Sequence, residues 1–372
     1  MYTALIYTII SFIASCICGW FTIPVVLDFC KRKGLYDIPN QRKVHKNAVP
    51  RLGGVVFMPC VFFGSLAAFT IAYVNGIQTI TLSLWTVYFI VSITAIYITG
   101  LVDDIVGLSA ITKLIVQLIA ATMLPLSGLW LNNLYGLFGI YEIPYWVGVP
   151  LTIVAITFIS NAINLIDGID GLSGGLTLIA LSGFIVAFCK WHLWTYVVII
   201  AALMGVIAAY LYYNIWGDAT KNRKIFMGDT GSLSIGFLLA FLCIKLSMSD
   251  TGLRPYNGNG LLLSFTVIIV PVFDVFRVAL LRITHHRSPM TPDKNHIHHK
   301  LLRTGANQSQ VLVVVLSLQA FLCLVNYLLS QLTGITVIVL TDIVLYIAFH
   351  LCLNRMIIRR GEKPHLFQDA KR

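Results

Sequence analysis

Residues 54–104 read GVVFMPCVFFGSLAAFTIAYVNGIQTITLSLWTVYFIVSITAIYITGLVDD. The first 49 of them hold no Asp, Glu, Lys or Arg, and the run ends on two adjacent carboxylates, Asp103 and Asp104. One helix needs about 20 apolar residues to cross the hydrocarbon of a bilayer. The stretch therefore makes two spans, divided at Asn75-Gly76-Ile77-Gln78, and it delivers a charged pair to a membrane boundary. Segments 114–141, 143–166, 171–189, 191–217 and 304–341 are free of charge in the same way.

The rest of the composition agrees. Of 372 residues, 58% are hydrophobic and 11% charged, where a soluble domain carries about 25% charged residues. A mean hydropathy of +0.85 excludes an ordinary soluble enzyme and a disordered chain, which needs low hydrophobicity and high charge. Barrel strands alternate apolar and polar residues, whereas these apolar runs are continuous. Only helices and closed barrels satisfy their backbone in lipid. The expectation is an all-α polytopic integral membrane protein with about eleven transmembrane helices, at 3–27, 53–74, 82–101, 110–127, 145–163, 171–189, 194–213, 231–248, 261–281, 311–329 and 336–353. Residues 1–372 read as one domain, with a basic tail over 355–372 (Arg355, Arg359, Arg360, Lys363) as a solvated inner anchor.

Charge orients the bundle. The net charge is +11, and this set of spans puts 23 of the 26 Lys/Arg on or beside one side, leaving Lys190, Lys245 and Arg254 on the other. The positive-inside rule then places the N-terminus outside and the tail in the cytoplasm. The basic residues, Lys31-Arg32-Lys33 and Arg42-Lys43 among them, are spread over short loops, which argues against a nucleic-acid partner. The eight cysteines lie in or at the ends of spans and read as small packers, with no disulfide framework. The first span reads as an uncleaved signal.

The polar motifs fall in the inner loops. Adjacent carboxylates at Asp103 and Asp104 raise each other's pKa unless a cation neutralises them; the alternative is a solvated loop start or helix cap. In Asn161-Ala-Ile-Asn164-Leu-Ile-Asp167-Gly-Ile-Asp170-Gly, residues three apart share a helix face, so Asn164 and Asp167 point into one pocket. Their oxygens suit a hard cation such as Mg²⁺. Gly228-Asp229-Thr230-Gly231-Ser232 opens a helix whose free N–H groups make an anion site, or is a plain N-cap. His296-Ile-His298-His299, between Lys294 and Lys300, offers imidazole N–H donors to a phosphate or a nucleobase; a zinc site and a solvated loop are the other readings. Lys113, with Gln117 one turn on, either snorkels or serves the carboxylates or a lipid phosphate. Asp274 and Arg277 read as an internal ion pair, and Pro50-Arg51-Leu52-Gly53-Gly54 as a basic turn. A transporter needs polar groups at the bilayer midplane and a channel needs polar rings; these midplanes are apolar. The combination fits a cation-assisted reaction between a water-soluble nucleotide and a lipid phosphate.

From Pro50 to Leu302 the order of these motifs resembles the polyprenyl-phosphate N-acetylhexosamine-1-phosphate transferases. The His-Ile-His-His and Pro-Arg-x-Gly-Gly forms resemble the undecaprenyl-phosphate GlcNAc-1-phosphate transferase (WecA/TagO-like) branch more than the peptidoglycan branch. The resemblance implies transfer of GlcNAc-1-phosphate from UDP-GlcNAc to undecaprenyl phosphate with release of UMP, using Mg²⁺ or Mn²⁺, at the inner face of a bacterial plasma membrane. It also implies site roles. Asp229, Asn164 and Asp167 would hold the metal. Asp103, Asp104, Asp167 and Lys113 would be catalytic. Asp170, Arg51, Asn214, His296, His298 and His299 would bind the nucleotide-sugar, and Lys113 and Asn161 the lipid phosphate. A homodimer is an admissible assembly. Two alternatives stay open: another UDP-N-acetylhexosamine as donor, or a non-enzymatic lipid or solute transporter.

Overall fold

The computed structural model describes residues 2–37, 48–77, 84–221, 223–249, 258–289, 291 and 293–367. Arg42, Lys43, Gln78, Arg254 and Pro292, with residues 368–372 of the tail, lie outside the described residues. The helices are α1 (Tyr2–Lys33), α2 (Phe57–Val74), α3 (Leu84–Val106), α4 (Ala110–Leu126), α5 (Tyr145–Ile166), α6 (Leu172–Lys190), α7 (Trp194–Ile215), α8 (Gly228–Ser247), α9 (Gly258–Thr266), α10 (Ile269–Thr284), α11 (Ile297–Arg303), α12 (Gln308–Leu329) and α13 (Ile335–Arg359). Among the described residues, nine helices are long and apolar enough to cross a membrane. The pair α9–α10, bent by 68° at a short break, is a tenth, and α4 is a shorter apolar helix. Each of the eleven expected spans is thus matched by a helix or by this bent pair. The structure adds two short antiparallel ladders to the expected all-helical bundle. Tyr36–Asp37 (β1) pairs with Val49–Pro50 (β2), and Asn133–Leu137 (β3) with Ile140–Glu142 (β4), inside the longest expected outer loop.

The bundle is built around α8. Every residue from Thr230 to Ser247 is buried, as expected of a helix that is apolar all round. Around it α1, α2, α3, α5 and α7 pack against it or against one another. Their outer faces carry large apolar side chains in the open, such as Phe21, Leu66 and Trp146, the surface that lipid covers. Apolar tails give no hydrophobic drive to helix association, so close backbone approach matters. A Cβ on Gly100 of α3 would lie 2.5 Å from the Thr230 Cα, and one on Gly54 would lie 2.1 Å from the Gly231 Cα.

That second approach explains the Pro-Arg-x-Gly-Gly turn. Gly53 and Gly54 donate their N–H groups to the carbonyls of Phe226 (2.8 Å) and Met227 (2.7 Å), and Phe226 N donates to Pro50 O (2.8 Å). The turn is a backbone brace under the start of α8. The α9–α10 break falls where Pro271, in the first turn of α10, has no N–H to give and its ring crowds the carbonyl four residues back. There α12 supplies the missing partners, since Gln319 Nε2 donates to Thr266 O (2.8 Å) and Gln319 Oε1 accepts from Val270 N (3.1 Å).

The alternation of the spans brings one set of ends together: the C-terminal ends of α1, α3, α5 and α7 and the N-terminal ends of α2, α4, α6 and α8. The polar motifs lie at these ends. Gly54→Ala is expected to force backbone apart and to lower the thermal midpoint in detergent, at a cost of about 1–3 kcal/mol for overpacking. Gly334→Ala, where a Cβ meets nothing within 4 Å, is expected to leave it unchanged.

Candidate functional site

A cavity of about 360 Å³ opens at this end of the bundle. Asp103 and Asp104 reach it from α3, Asn164 from α5, Asp167 and Asp170 from the loop after α5, and Asp229 from α8. Arg51, Asn214 and His299 complete the expected residues on its wall. Six separate stretches of chain therefore converge.

The adjacent carboxylates have different partners, because neighbours on a helix point about 100° apart. Asp103 Oδ1 accepts from Leu108 N (2.6 Å) and Oδ2 from Lys113 Nζ (3.1 Å). Asp104 turns to α8: Oδ1 accepts from Asp229 N (2.9 Å), and Oδ2 from Thr230 N (2.8 Å) and Thr230 Oγ1 (2.6 Å). The expectation that the first N–H groups of α8 are free for an anion is corrected by these bonds. Asp104, though on the cavity wall, is buried and occupied as the cap of α8. Gly228 takes φ +71°, and a Cβ there would lie 2.0 Å from Arg51 O and 2.5 Å from Asp104 Oδ2, so only glycine lets these three elements meet.

Asp229 is the hub. Its Oδ2 accepts from Lys113 Nζ (2.6 Å) and its Oδ1 from Asn164 Nδ2 (3.1 Å), while Asn164 also donates to Ser232 Oγ (2.8 Å). Lys113 thus bridges Asp103 and Asp229 rather than Asp104. Asp167, the residue that ends α5, faces the cavity. Burial, then the charges of Asp229, Asp170 and Asp104, push its carboxyl up to about 7. Asp170 pairs with Lys224 (2.6 Å). Asn214, buried on α7, accepts from Gly171 N (2.6 Å) and donates to Ile225 O (3.0 Å). It ties the Asp167–Asp170 loop to the strand of chain that leads into α8.

Lys113 is not itself on the wall but holds two residues that are, and three further expected residues stand elsewhere. Asn161 is one turn deeper in α5 and donates to Gln117 Oε1 and Thr157 O; it is not on the wall. Among the three histidines, only His299 is. His298 is buried against Gly168, where a Cβ would lie 2.1 Å from its Nε2. His296 Nδ1 bonds Asp274 Oδ2 (2.8 Å), whose Oδ1 is held by Arg277 (2.8 Å) and by Ile297 N (3.0 Å). The internal Asp274–Arg277 pair is present and also anchors the His loop. Burial, then neighbouring histidines, holds His298 well below the usual histidine range and His299 at about 4. Both rings are neutral at pH 7 and offer one N–H each. Lys300, between α10 and α13, donates to Asn354 instead of facing the cavity, and burial brings its ammonium down to about 7.

The zinc reading of the His loop finds no support: among the described residues, no three His, Cys, Asp or Glu side chains gather as metal ligands. The reading along the chain missed Lys224, Ser232, Asp37 and Gln308, of which the last three line the cavity. Ser232 lies in a motif and was within reach; Asp37 and Gln308 sit in unpatterned loop and helix-start sequence.

Comparison with known proteins follows the same geometry. The sequence model of glycosyl transferase family 4 matches residues 85–247. The Bacillus subtilis (strain 168) protein named "Probable undecaprenyl-phosphate N-acetylglucosaminyl 1-phosphate transferase" is 32% identical over 325 residues, which cover 84% of this chain and 82% of that protein. The undecaprenyl-phosphate alpha-N-acetylglucosaminyl 1-phosphate transferase of Yersinia pestis is 29% identical over 328 residues, covering 87% of this chain and 85% of its own length. Its counterpart in Escherichia coli (strain K12) is 29% identical over 307 residues, covering 80% and 77%.

The two adjacent carboxylates are expected to separate experimentally. Asp104→Asn puts an amide against three donors, and a buried donor left without an acceptor costs about 1–3 kcal/mol; the thermal midpoint should fall clearly. Asp103→Asn, which keeps an oxygen for Leu108 N, should shift it much less.

Proposed function

This chain belongs to glycosyl transferase family 4, and from that premise we propose that it transfers GlcNAc-1-phosphate from UDP-GlcNAc to undecaprenyl phosphate and releases UMP. One observation carries the reading: carboxylates from three helix ends and a loop share a single cavity with Arg51 and a neutral His299, at the end of an apolar bundle. A cavity of that size and polarity suits the head of a nucleotide-sugar, and its place at a bundle end suits a lipid phosphate arriving from the membrane. The relatives' names carry undecaprenyl phosphate and the N-acetylglucosaminyl 1-phosphate group.

The reaction joins two anions. An oxygen of the lipid phosphate attacks the phosphorus that bears the sugar; a new P–O bond forms there. The bond from that phosphorus to the bridging oxygen breaks, and UMP leaves with the bridging oxygen. The chief obstacle is repulsion between the partners, so positioning and charge neutralisation are the enzyme's task. Lys113, held by Asp103 and Asp229, is the cation for the incoming lipid phosphate. Arg51 takes the diphosphate, with no carboxylate paired to it among the described residues. Asp170 and His299 orient the nucleotide-sugar, Asp170 on its Lys224 bridge. Asp104 and Asn214 keep α8 and the Asp167 loop in place.

Asp229, Asp167 and the amide oxygen of Asn164 are the proposed holders of Mg²⁺ or Mn²⁺. Their donor chemistry fits, since hard cations take carboxylate and amide oxygens. The six carboxylates on the wall, Asp37, Asp103, Asp104, Asp167, Asp170 and Asp229, face one guanidinium there, and Asp167 is raised first by its burial and then by the charges of Asp229, Asp170 and Asp104. When bound, the cation supplies Lewis-acid stabilisation of phosphoryl charge. The basic loops share the site's end of the bundle, which supports a plasma-membrane enzyme with this end and the C-terminus in the cytoplasm and the N-terminus outside.

The test is UMP release by the purified full chain from UDP-GlcNAc and a short polyprenyl phosphate, with UDP-GalNAc in parallel and with and without Mg²⁺. Release with UDP-GlcNAc, dependent on lipid and Mg²⁺ and lost in Asp229→Ala, is expected. Release that ignores the lipid or survives in Asp229→Ala would overturn the reading. A second outcome follows from Asp167. Its ordinary value of 3.8 is raised to about 7, so the folded chain binds this proton more tightly than the unfolded one. Stability then falls as pH rises through about 7. Mg²⁺ should raise the thermal midpoint more at about pH 8 than at about pH 5, because the cation competes with that proton. Asp167→Asn should level the difference.

A further inference from the structure

The loop that carries His299 has little order of its own. The helix α11 is seven residues long, far below the about 12 residues at which an isolated helix becomes marginal. The loop is therefore held from outside. One grip is α10: Asp274 takes His296 and Ile297 N, and Arg277 donates to Asn295 O (2.6 Å). A second is the packing of His298 on Gly168. The third comes from the end of the chain, which the sequence reading had taken as a solvated anchor.

After α13 the chain turns back onto this loop. Asn295, fully buried, donates through Nδ2 to Leu366 O (2.9 Å) and accepts at Oδ1 from Leu366 N (2.9 Å). One side chain thus holds both backbone groups of one tail residue. Arg303, at the other end of α11, donates to Lys363 O (2.8 Å) and Pro364 O (3.4 Å). Phe367 lies against His285 (4.5 Å between rings) and beneath the Arg287 guanidinium (4.9 Å). The tail is thereby gripped before, within and after the His segment. A basic stretch that served only to meet lipid would have no use for a buried amide shaped to its backbone.

We propose that the C-terminal tail is a latch for the His299 loop, and that Asn295 is the positioning residue through which it acts. Its consequence for catalysis rests on the functional reading above: releasing the latch loosens the nucleotide-sugar side of the cavity and spares the Asp103–Lys113–Asp229 side, whose bonds involve no described residue of the tail.

The experiment uses the full chain, Asn295→Ala, a chain ending at Arg360, and the combination of the two. In the full chain the KM for UDP-GlcNAc is the reference. Either change should raise it about tenfold, the scale of a pair of ordinary hydrogen bonds, while kcat and the KM for the lipid stay within about twofold. The combination should be no worse than the shortened chain alone, because shortening already removes the Leu366 contact that Asn295→Ala removes, together with those of Lys363, Pro364 and Phe367. Hydrogen exchange over residues 294–303 should quicken in all three altered chains and stay unchanged over α8. An unchanged KM and unchanged exchange would overturn the latch. So would multiplying effects in the combination, or a fall in kcat with faster exchange throughout α8, which marks general unfolding. If the unaltered chain releases no UMP, the functional reading falls, and the exchange comparison alone decides the latch.

Discussion

The carboxylate of Asp104 accepts from Asp229 N, Thr230 N and Thr230 Oγ1, and so closes the end of a helix with no water along its length. The first N–H groups of any helix have no partner within it. On a surface helix water serves; in α8, where every residue from Thr230 onward is buried, a partner must be built in. That partner comes from α3, and once it is in place the next residue outward, Asp229, has one direction left to face. Lys113 and Asn164 then fix its two oxygens. The cavity is the outcome of capping a buried helix from a neighbour.

This arrangement explains why small residues and acidic residues occur together in these motifs. Gly54, Gly100 and Gly228 let the Arg51–Gly54 turn and α3 come within contact of the first turn of α8. The polar side chains beside them can then reach across distances that bulkier packing would forbid. The electrostatic result is a wall rich in carboxylates, with the ammonium of Lys113 shared between two of them and an excess of negative charge at Asp167. Such a wall repels anionic groups until cations join it, which is the physical basis of the proposed need for a divalent ion.

Much of this was legible along the chain. Gaps in charge marked the spans because lipid tolerates charge so poorly, and the spacing of Asn164 and Asp167 marked a shared face. What could not be read was which apolar helix would be enclosed: α8 is close to its neighbours in hydropathy, and its Gly and Ser content is close to that of α6. The roles within motifs were also hidden. Asp103 and Asp104 look equivalent as neighbours, yet a turn of 100° sends one to Lys113 and the other to α8. The three histidines look like one donor set, yet Asp274 and Gly168 claim two of them. The break between α9 and α10 is marked by Pro271, but the partner that satisfies its freed backbone groups, Gln319, comes from a distant helix. Long-range partners of this kind decide function and are written nowhere nearby in sequence.

The central claim is that a lipid phosphate and a nucleotide diphosphate meet at this one acidic cavity and exchange a phosphoryl bond. Tracing the label from UDP-GlcNAc carrying ³²P in its sugar-bearing phosphate tests it most directly. The account requires the label to enter the lipid fraction as the outer phosphate of a diphosphate, in step with UMP. Label left in water as UDP, with sugar alone on the lipid, would place the broken bond at the sugar and contradict it.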